Sequence, residues 1–198
     1  MPRWPSMPGP PLSEWVRAEM FDRRVVLLSG QLDDGLATEV AAHLMTLDGT
    51  GDGPLWLHIN SGEGTLSGAL TVMDTITALG VPAQAICTGR AEGPALGVLA
   101  VAHGRQAAPH ARLRLSQPQI AAEGTADALA RALQQHRQDL ERFILSVARA
   151  TRQPAERVEL DLAAGRYFDL DEALAYHLID RIWDHAIPAD GPPRRQPT

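Results

Sequence analysis

Short apolar runs alternate with longer amphipathic segments along the first half of this chain, and this alternation limits the possible folds more than any other feature. The runs Val25–Leu28, Leu55–Ile59 and Ala83–Thr88 have the length of buried strands. Apolar residues recur at helical spacing after the first two runs, at Leu36, Val40, Leu44 and Leu47 and then at Leu70, Met73 and Ile76. Asp33 or Asp34 caps the first predicted helix, and Gly80 ends the second. The order strand, helix, strand, helix predicts an α/β fold.

The second half of the chain continues the mixed pattern. A turn at 89–93 leads into a helix with Pro94 at its first position, where proline is tolerated. Arg112–Leu115 alternates as a half-exposed strand, and one long helix is predicted for Thr125–Ala150. Two short helices at 155–163 and 169–177 and a strand at 178–183 complete the predicted elements. Six apolar residues are the candidate buried positions of the long helix: Leu129, Leu133, Leu140, Phe143, Ile144 and Val147.

Length and composition indicate one domain. The 198 residues, 44% of them apolar, can bury one aliphatic core. Proline-rich ends predict disorder at 1–14 and 186–198 around a domain at 15–185. The net charge of −6 and the lack of a basic block before the tail argue against a nucleic-acid partner. The chain has no run of 18 apolar residues, so no membrane span is predicted. It contains one cysteine, and no apolar segment follows its first residues; both features predict a cytoplasmic protein.

Five ordered motifs together carry a resemblance to a known family. They are Arg24-Val-Val-Leu-Leu with Gly30-Gln31, His58-Ile-Asn-Ser61, Ile86-Cys-Thr-Gly89, Ser116-Gln-Pro118 and Asp171-Glu-Ala-Leu-Ala-Tyr-His-Leu-Ile-Asp180. From about Trp15 to Asp184 the chain resembles the ClpP family of Clp protease proteolytic subunits, peptidase family S14 of the crotonase-like superfamily. The resemblance implies a spiral of β-β-α units with a protruding handle helix at about 119–150. It also implies heptameric rings that stack around a proteolytic chamber fed by an ATP-driven unfoldase.

The catalytic positions that the resemblance implies are largely replaced. Gly93 stands where the family has its nucleophilic serine, and Ser116 stands where it has the histidine base. The orienting carboxylate is retained as Asp161. Of the two oxyanion donors, Gly64 is kept, but the residue after the nucleophile is Pro94, which has no N–H. The chain is therefore identified as a catalytically degenerate, ClpR-like member of the family, in which Asp161 is vestigial.

Four other catalytic arrangements are conceivable from the sequence. A Ser–Lys dyad is excluded because the chain contains no lysine. Cys87 falls within a predicted buried strand, which is typical of a small core residue and not of a nucleophile. Glu63 and Glu92 remain candidates for a crotonase-like enzyme of altered chemistry, with Arg90 or Arg105 as residues that could meet a coenzyme A phosphate. A residual serine-type endopeptidase is the last alternative.

No metal or other cofactor is expected, because the seven histidines lack the spacing of a zinc site. His58 occupies a place where the family usually presents an aromatic residue to the unfoldase, although a cross-strand polar residue is the simpler interpretation.

Partners follow from the resemblance. We expect a homo-oligomeric ring, or a hetero-oligomer with active ClpP subunits. The short proline-rich segment before Trp15 does not predict a normal axial hairpin, so ordinary coupling to an AAA+ unfoldase is not expected. Leu160 replaces an arginine that the family uses in stacking two rings, which leaves single and double rings as alternatives. Closed rings are the default, because heterologous contacts either close or continue into filaments.

Overall fold

The computed structural model describes residues 12–118, 120 and 123–183, and it confirms the predicted α/β fold. Its seven strands are β1 Val25–Ser29, β2 Leu55–Ser61, β3 Ala83–Glu92, β4 Gly104–Ala107, β5 Arg112–Arg114, β6 Tyr167–Phe168 and β7 Arg181–Ile182. The seven helices of the described part are α1 Leu12–Asp22, α2 Asp34–Asp48, α3 Leu66–Ala78, α4 Pro94–Val101, α5 Ala126–Thr151, α6 Ala155–Ala164 and α7 Leu170–Ala175. None of these helices is long and apolar enough to cross a membrane.

The strands form one sheet with a branch at β3. Strands β1, β2, β3, β4 and β7 lie side by side in that order, and all are parallel. The first half of β3 pairs with β4, from Gln84 to Cys87, whereas its last three residues pair with β5 instead. Strand β6 then adds to β5 in the antiparallel direction. The carboxyl end of β3 therefore stays paired with β2 at Ala91, while its neighbour on the other side changes from β4 to β5.

Several sequence predictions are confirmed and some are corrected. Asp33 caps α2, since its side chain accepts a hydrogen bond from the Leu36 N–H at 2.8 Å. The predicted turn at 89–93 is mostly strand, because residues 90–92 find hydrogen-bond partners in β5. Strands β4 and β6 and helix α1 were not predicted. The predicted disordered segment at 1–14 lies outside the described residues except for 12–14, which belong to α1, and the tail at 186–198 lies wholly outside them.

Helix α5 matches its predicted range to within a residue, but its burial differs from the prediction. Phe143 and Val147 are buried, whereas Leu133 is 47% exposed and Leu129 is only half-buried. The helix packs against α3, α4 and α6, and its first buried residue is Phe143. The preceding turns carry no buried residue. Within residues 12–118, 120 and 123–183, no element buries a side chain of the first half of α5, and its assignment as a handle stays a prediction.

One partly buried arginine ties three elements together. Arg105, at 14% side-chain exposure, donates to the main-chain oxygens of Ala150 at 3.1 Å and His177 at 2.7 Å. It also pairs with Asp180, whose carboxylate accepts the Arg105 main-chain N–H at 2.8 Å. Partial burial alone would raise the pKa of the Asp180 carboxyl, but the hydrogen bonds and charge of Arg105 outweigh burial and lower it. Arg105 is thus fully engaged in holding β4 to the ends of α5 and α7.

We expect Arg105→Ala to lower the free energy of unfolding by about 2 kcal/mol, because several partly buried acceptors lose their donor. Urea unfolding at a fixed protein concentration measures the change, with the exposed Arg181→Ala as the control, expected within about 0.5 kcal/mol of the parent. The Asp180 contribution is present above the unfolded-state pKa of that carboxyl and is lost as pH falls through the lower folded-state pKa. Equal losses for both variants would contradict this assignment.

Candidate functional site

The turn between β3 and α4 has an unusual main-chain conformation. Gly93 joins the two elements with φ 55° and ψ −126°, and its N–H donates to the Arg114 oxygen at 2.9 Å. A positive φ is costly for residues with a side chain, so glycine is the residue best suited to this turn. A sharp, strained turn from a strand into a helix is also the geometry that exposes the nucleophile of many hydrolases. The elbow is therefore present, but its residue carries no side chain.

Ser116 lies beside this elbow. A Cβ atom added to Gly93 would be 3.4 Å from the Ser116 hydroxyl oxygen, which is ordinary contact distance. The structure thus brings together the two positions predicted as nucleophile and base, as neighbours on the ends of β3 and β5. A serine hydroxyl cannot take up a proton at neutral pH as a histidine would. These two positions as they stand supply no nucleophile paired with a base.

The two predicted oxyanion positions differ from each other. Pro94 is buried at the first position of α4 and has no N–H to donate. Gly64 keeps its place next to Leu32, where a Cβ would lie only 2.6 Å from the Leu32 main-chain oxygen. The hydrogen bonds of this bridge are donated by Leu32 and Thr65, not by Gly64. One main-chain donor of the expected pair is retained, and the other is chemically absent.

Asp161 is buried within α6 and engaged by two arginines. Arg157 Nε donates to its carboxylate at 2.8 Å, and Arg166 Nη1 lies 3.3 Å from both oxygens. Arg166 is itself held by Glu172 at 3.0 Å and lies over the ring of Phe168 at 4.6 Å. Main-chain hydrogen bonds connect Asp161 to Arg166 and Arg166 to Leu115, next to Ser116. Both arginines contact the Asp161 carboxylate, so it acts as an ion-pair partner.

Sequence reasoning missed both arginine partners of Asp161. Arg157 precedes Asp161 by four residues on α6, a spacing that favours ion pairs on a helix surface and could have revealed it. Arg166 lies beyond the end of α6, so its pairing with Asp161 depends on the turn at Gly165. The spacing of residues in the sequence does not reveal this pair.

The two glutamates of the alternative enzyme occupy different settings. Glu92 is 9% exposed and lies 3.7 Å from Arg112 Nε, whereas Glu63 is exposed on the turn before Gly64. Of the two arginines considered for a phosphate, Arg105 is taken up by Asp180 and main-chain oxygens, while Arg90 is exposed. The described contacts therefore do not pair Glu63 with Glu92 as an acid and base.

Cys87 is buried in β3, as predicted. Burial raises the pKa of its thiol to about 12, so the thiolate is scarce at neutral pH. In the folded protein we expect Cys87 to react with a chromogenic disulfide reagent at least about a hundredfold more slowly than in urea. Rapid stoichiometric labelling without denaturant would show that the thiol is accessible and contradict the assignment as a core residue.

His58 is half-buried on β2 and lies edge-on to the Trp183 ring at 6.4 Å between centroids. Burial lowers the pKa of its imidazole, which favours the neutral form. Within residues 12–118, 120 and 123–183, no three histidine, cysteine, aspartate or glutamate side chains are placed to hold a metal ion.

Fold and site together present a parallel sheet, a strand-to-helix elbow at Gly93 and a second position, Ser116, beside that elbow. The chain belongs to the Clp protease family, whose family model matches residues 13–186. It is 30% identical over 196 residues to "ATP-dependent Clp protease proteolytic subunit 3" of Synechococcus sp. (strain CC9902), covering 92% of this chain and 94% of that protein. It is 29% identical over 175 residues to "ATP-dependent Clp protease proteolytic subunit 1" of Corynebacterium glutamicum, covering 85% and 83%.

Proposed function

We propose that this chain is a catalytically silent, ClpR-like subunit of a Clp-type proteolytic assembly. The observation that carries the proposal is the elbow itself: its main-chain turn is intact, but Gly93 has no side chain, Ser116 is no base and Pro94 has no N–H. Loss of one triad member already reduces the rate of such enzymes by several orders of magnitude. Replacement of two members together with one oxyanion donor supports a role other than peptide hydrolysis.

We further propose that the subunit acts in a ring, alone or with active ClpP-type subunits, in the cytoplasm and without a cofactor. The exposed apolar side chains on α5, Leu133 at 47% and Leu145 at 48%, support such an assembly because they need a covering surface. Leu160 on α6 is 68% exposed at the place where the family uses an arginine, which supports a stacking mode different from the usual one. Ordinary coupling to an AAA+ unfoldase is not part of the proposal.

Native mass spectrometry and a hydrolysis assay on the same sample test the proposal. We expect a ring with no turnover of short fluorogenic peptides or unfolded casein above the buffer rate. Mixing with an active ClpP-type subunit is expected to give mixed rings. Turnover that is lost in Ser116→Ala or Asp161→Ala would show a rebuilt catalytic centre, and turnover that survives both would show another site; either result overturns the proposal.

A further inference from the structure

Charged side chains cover the face of β3 and β5 next to the empty elbow. The register places Arg90 opposite Arg112 and Glu92 opposite Arg114. Residues two apart on a strand share a face, and the Glu92–Arg112 contact at 3.7 Å confirms that both strands present these side chains to the same side. Ala91 and Leu113 point to the other side and are fully buried. Three arginines and one glutamate therefore form a single surface, which we name the arginine face.

The positions expected for catalysis, around Gly64, Gly93 and Ser116, are named here the vacated centre. The arginine face adjoins this centre on two sides. Arg90 lies over the glycine elbow that precedes α3, where a methyl group added to Gly62 would be 2.6 Å from the guanidinium carbon. Gly62 is buried while Arg90 is exposed. The Arg90 guanidinium therefore covers the glycine turn at Gly62 and is still in contact with solvent. On the other side, the Arg114 main-chain oxygen accepts the Gly93 N–H. The arginine face thus borders Gly62 and Gly93, and Arg90 and Arg112 lie opposite each other on it.

Among the residues that the structure describes, positive charge at this face exceeds negative charge. Arg114 is occupied by the Gly165 oxygen at 3.2 Å and by the Tyr167 ring at 4.8 Å. Arg112 is 63% exposed, and its distance to Glu92 exceeds that of a hydrogen bond. Even with exposed Glu63 counted, three arginines face two carboxylates, in a chain whose net charge is −6. The planar guanidinium of arginine donates two parallel hydrogen bonds to a carboxylate, so a carboxylate is a well-matched ligand for this face.

We propose that the vacated centre is a binding site for a peptide carboxylate, with Arg90 and Arg112 as its two ligands. The carboxylate belongs either to the C-terminus of the peptide or to an aspartate or glutamate side chain, since both offer the same two oxygens. Glu92 competes for Arg112 in the unliganded chain. The inference rests on the proposed function, because a working protease would cleave the peptide at this place.

Fluorescence anisotropy with three labelled hexapeptides tests the site on the full chain. One peptide is apolar with a free C-terminal carboxylate, the second is the same peptide as the C-terminal amide, and the third is the amide with one internal glutamate. We expect the amide without glutamate to bind about tenfold more weakly than whichever carboxylate peptide binds best. Comparing the first and third peptides then identifies the source of the carboxylate.

Single substitutions distinguish a specific role of Arg90 and Arg112 in peptide binding from a nonspecific effect of positive charge. Arg90→Gln and Arg112→Gln are each expected to weaken binding of the carboxylate peptide about three- to tenfold. Arg137→Gln, which removes one exposed arginine from α5, is the matched control and should leave binding unchanged. Glu92→Gln removes the competing carboxylate, so it should strengthen binding. Equal binding of all three peptides, no binding of any, or equal losses in Arg137→Gln and Arg90→Gln would overturn the inference.

Chromatography of the peptides after the titration keeps the two proposals apart. Bound peptide recovered intact supports both of them. Bound peptide recovered as fragments would overturn the proposed function and leave the carboxylate site standing. Intact peptide that did not bind would overturn the carboxylate site and leave the proposed function standing.

Discussion

The triple variant Gly93→Ser, Pro94→Met, Ser116→His is expected to hydrolyse short fluorogenic peptides at least about a thousandfold faster than the parent chain, because it returns nucleophile, base and second oxyanion donor together. The main chain is already suited to the change. Gly93 holds the strained φ of a nucleophile elbow, and the position of its missing Cβ is open, with Ser116 as the nearest neighbour at 3.4 Å. Side chains, not the fold, limit activity in this interpretation.

Two matched variants make this expectation sharp. Keeping Pro94 in the double variant Gly93→Ser, Ser116→His should lower the rate about a hundredfold or more relative to the triple variant, since one oxyanion donor is missing. Replacing Gly93 with alanine in the triple background adds the same Cβ without a hydroxyl and should return the rate to that of the parent. A folded triple variant with no activity would contradict the interpretation that these three side chains alone limit activity.

The fold was largely predictable from local pattern. The apolar runs of β1, β2 and β3 and the spacing of Val40, Leu44 and Leu47 reflect burial that is already visible in the sequence. Strands β4 and β6 were missed because they have four and two residues and owe their existence to neighbours distant in sequence. Leu133 was predicted to be buried from its spacing alone. Spacing cannot distinguish an apolar helix face that packs on the core from one that is exposed in the single chain.

The candidate site was predictable only in part. The resemblance identified Gly93, Pro94 and Ser116, and the structure shows Gly93 and Ser116 as neighbours. Their adjacency depends on the branch of β3 from β4 to β5, a change of partner that leaves no periodic signal. The same branch aligns Arg90 with Arg112, which are separated by more than twenty residues. Long-range register, not residue type, was the missing information.

Close packing between α4 and α5 links the elbow helix to the handle. Gly97 lies in α4, where every residue but the last is buried, and it faces the fully buried ring of Phe143. A Cβ at Gly97 would overlap the ring atom Cε2 and lie 2.7 Å from Cζ. Since protein interiors are close-packed, moving this buried ring away would disturb its other neighbours. Glycine at 97 therefore sets the distance between the two helices.

We expect Gly97→Ala to lower the free energy of unfolding by about 3 kcal/mol despite the better helix propensity of alanine, because overpacking of a rigid core costs more. The same substitution at exposed Gly35 in α2, where the nearest atom to a new Cβ is 3.4 Å away, should instead be neutral or stabilising by up to about 1 kcal/mol. Adding Phe143→Leu to Gly97→Ala removes the overlapping ring, so the double variant should lose less than the sum of the single losses. Urea unfolding of Gly97→Ala, Phe143→Leu, the double variant and Gly35→Ala at one protein concentration gives the four values. Strict additivity would mean that the ring and the glycine are not coupled, and that the approach of α4 to α5 is set elsewhere.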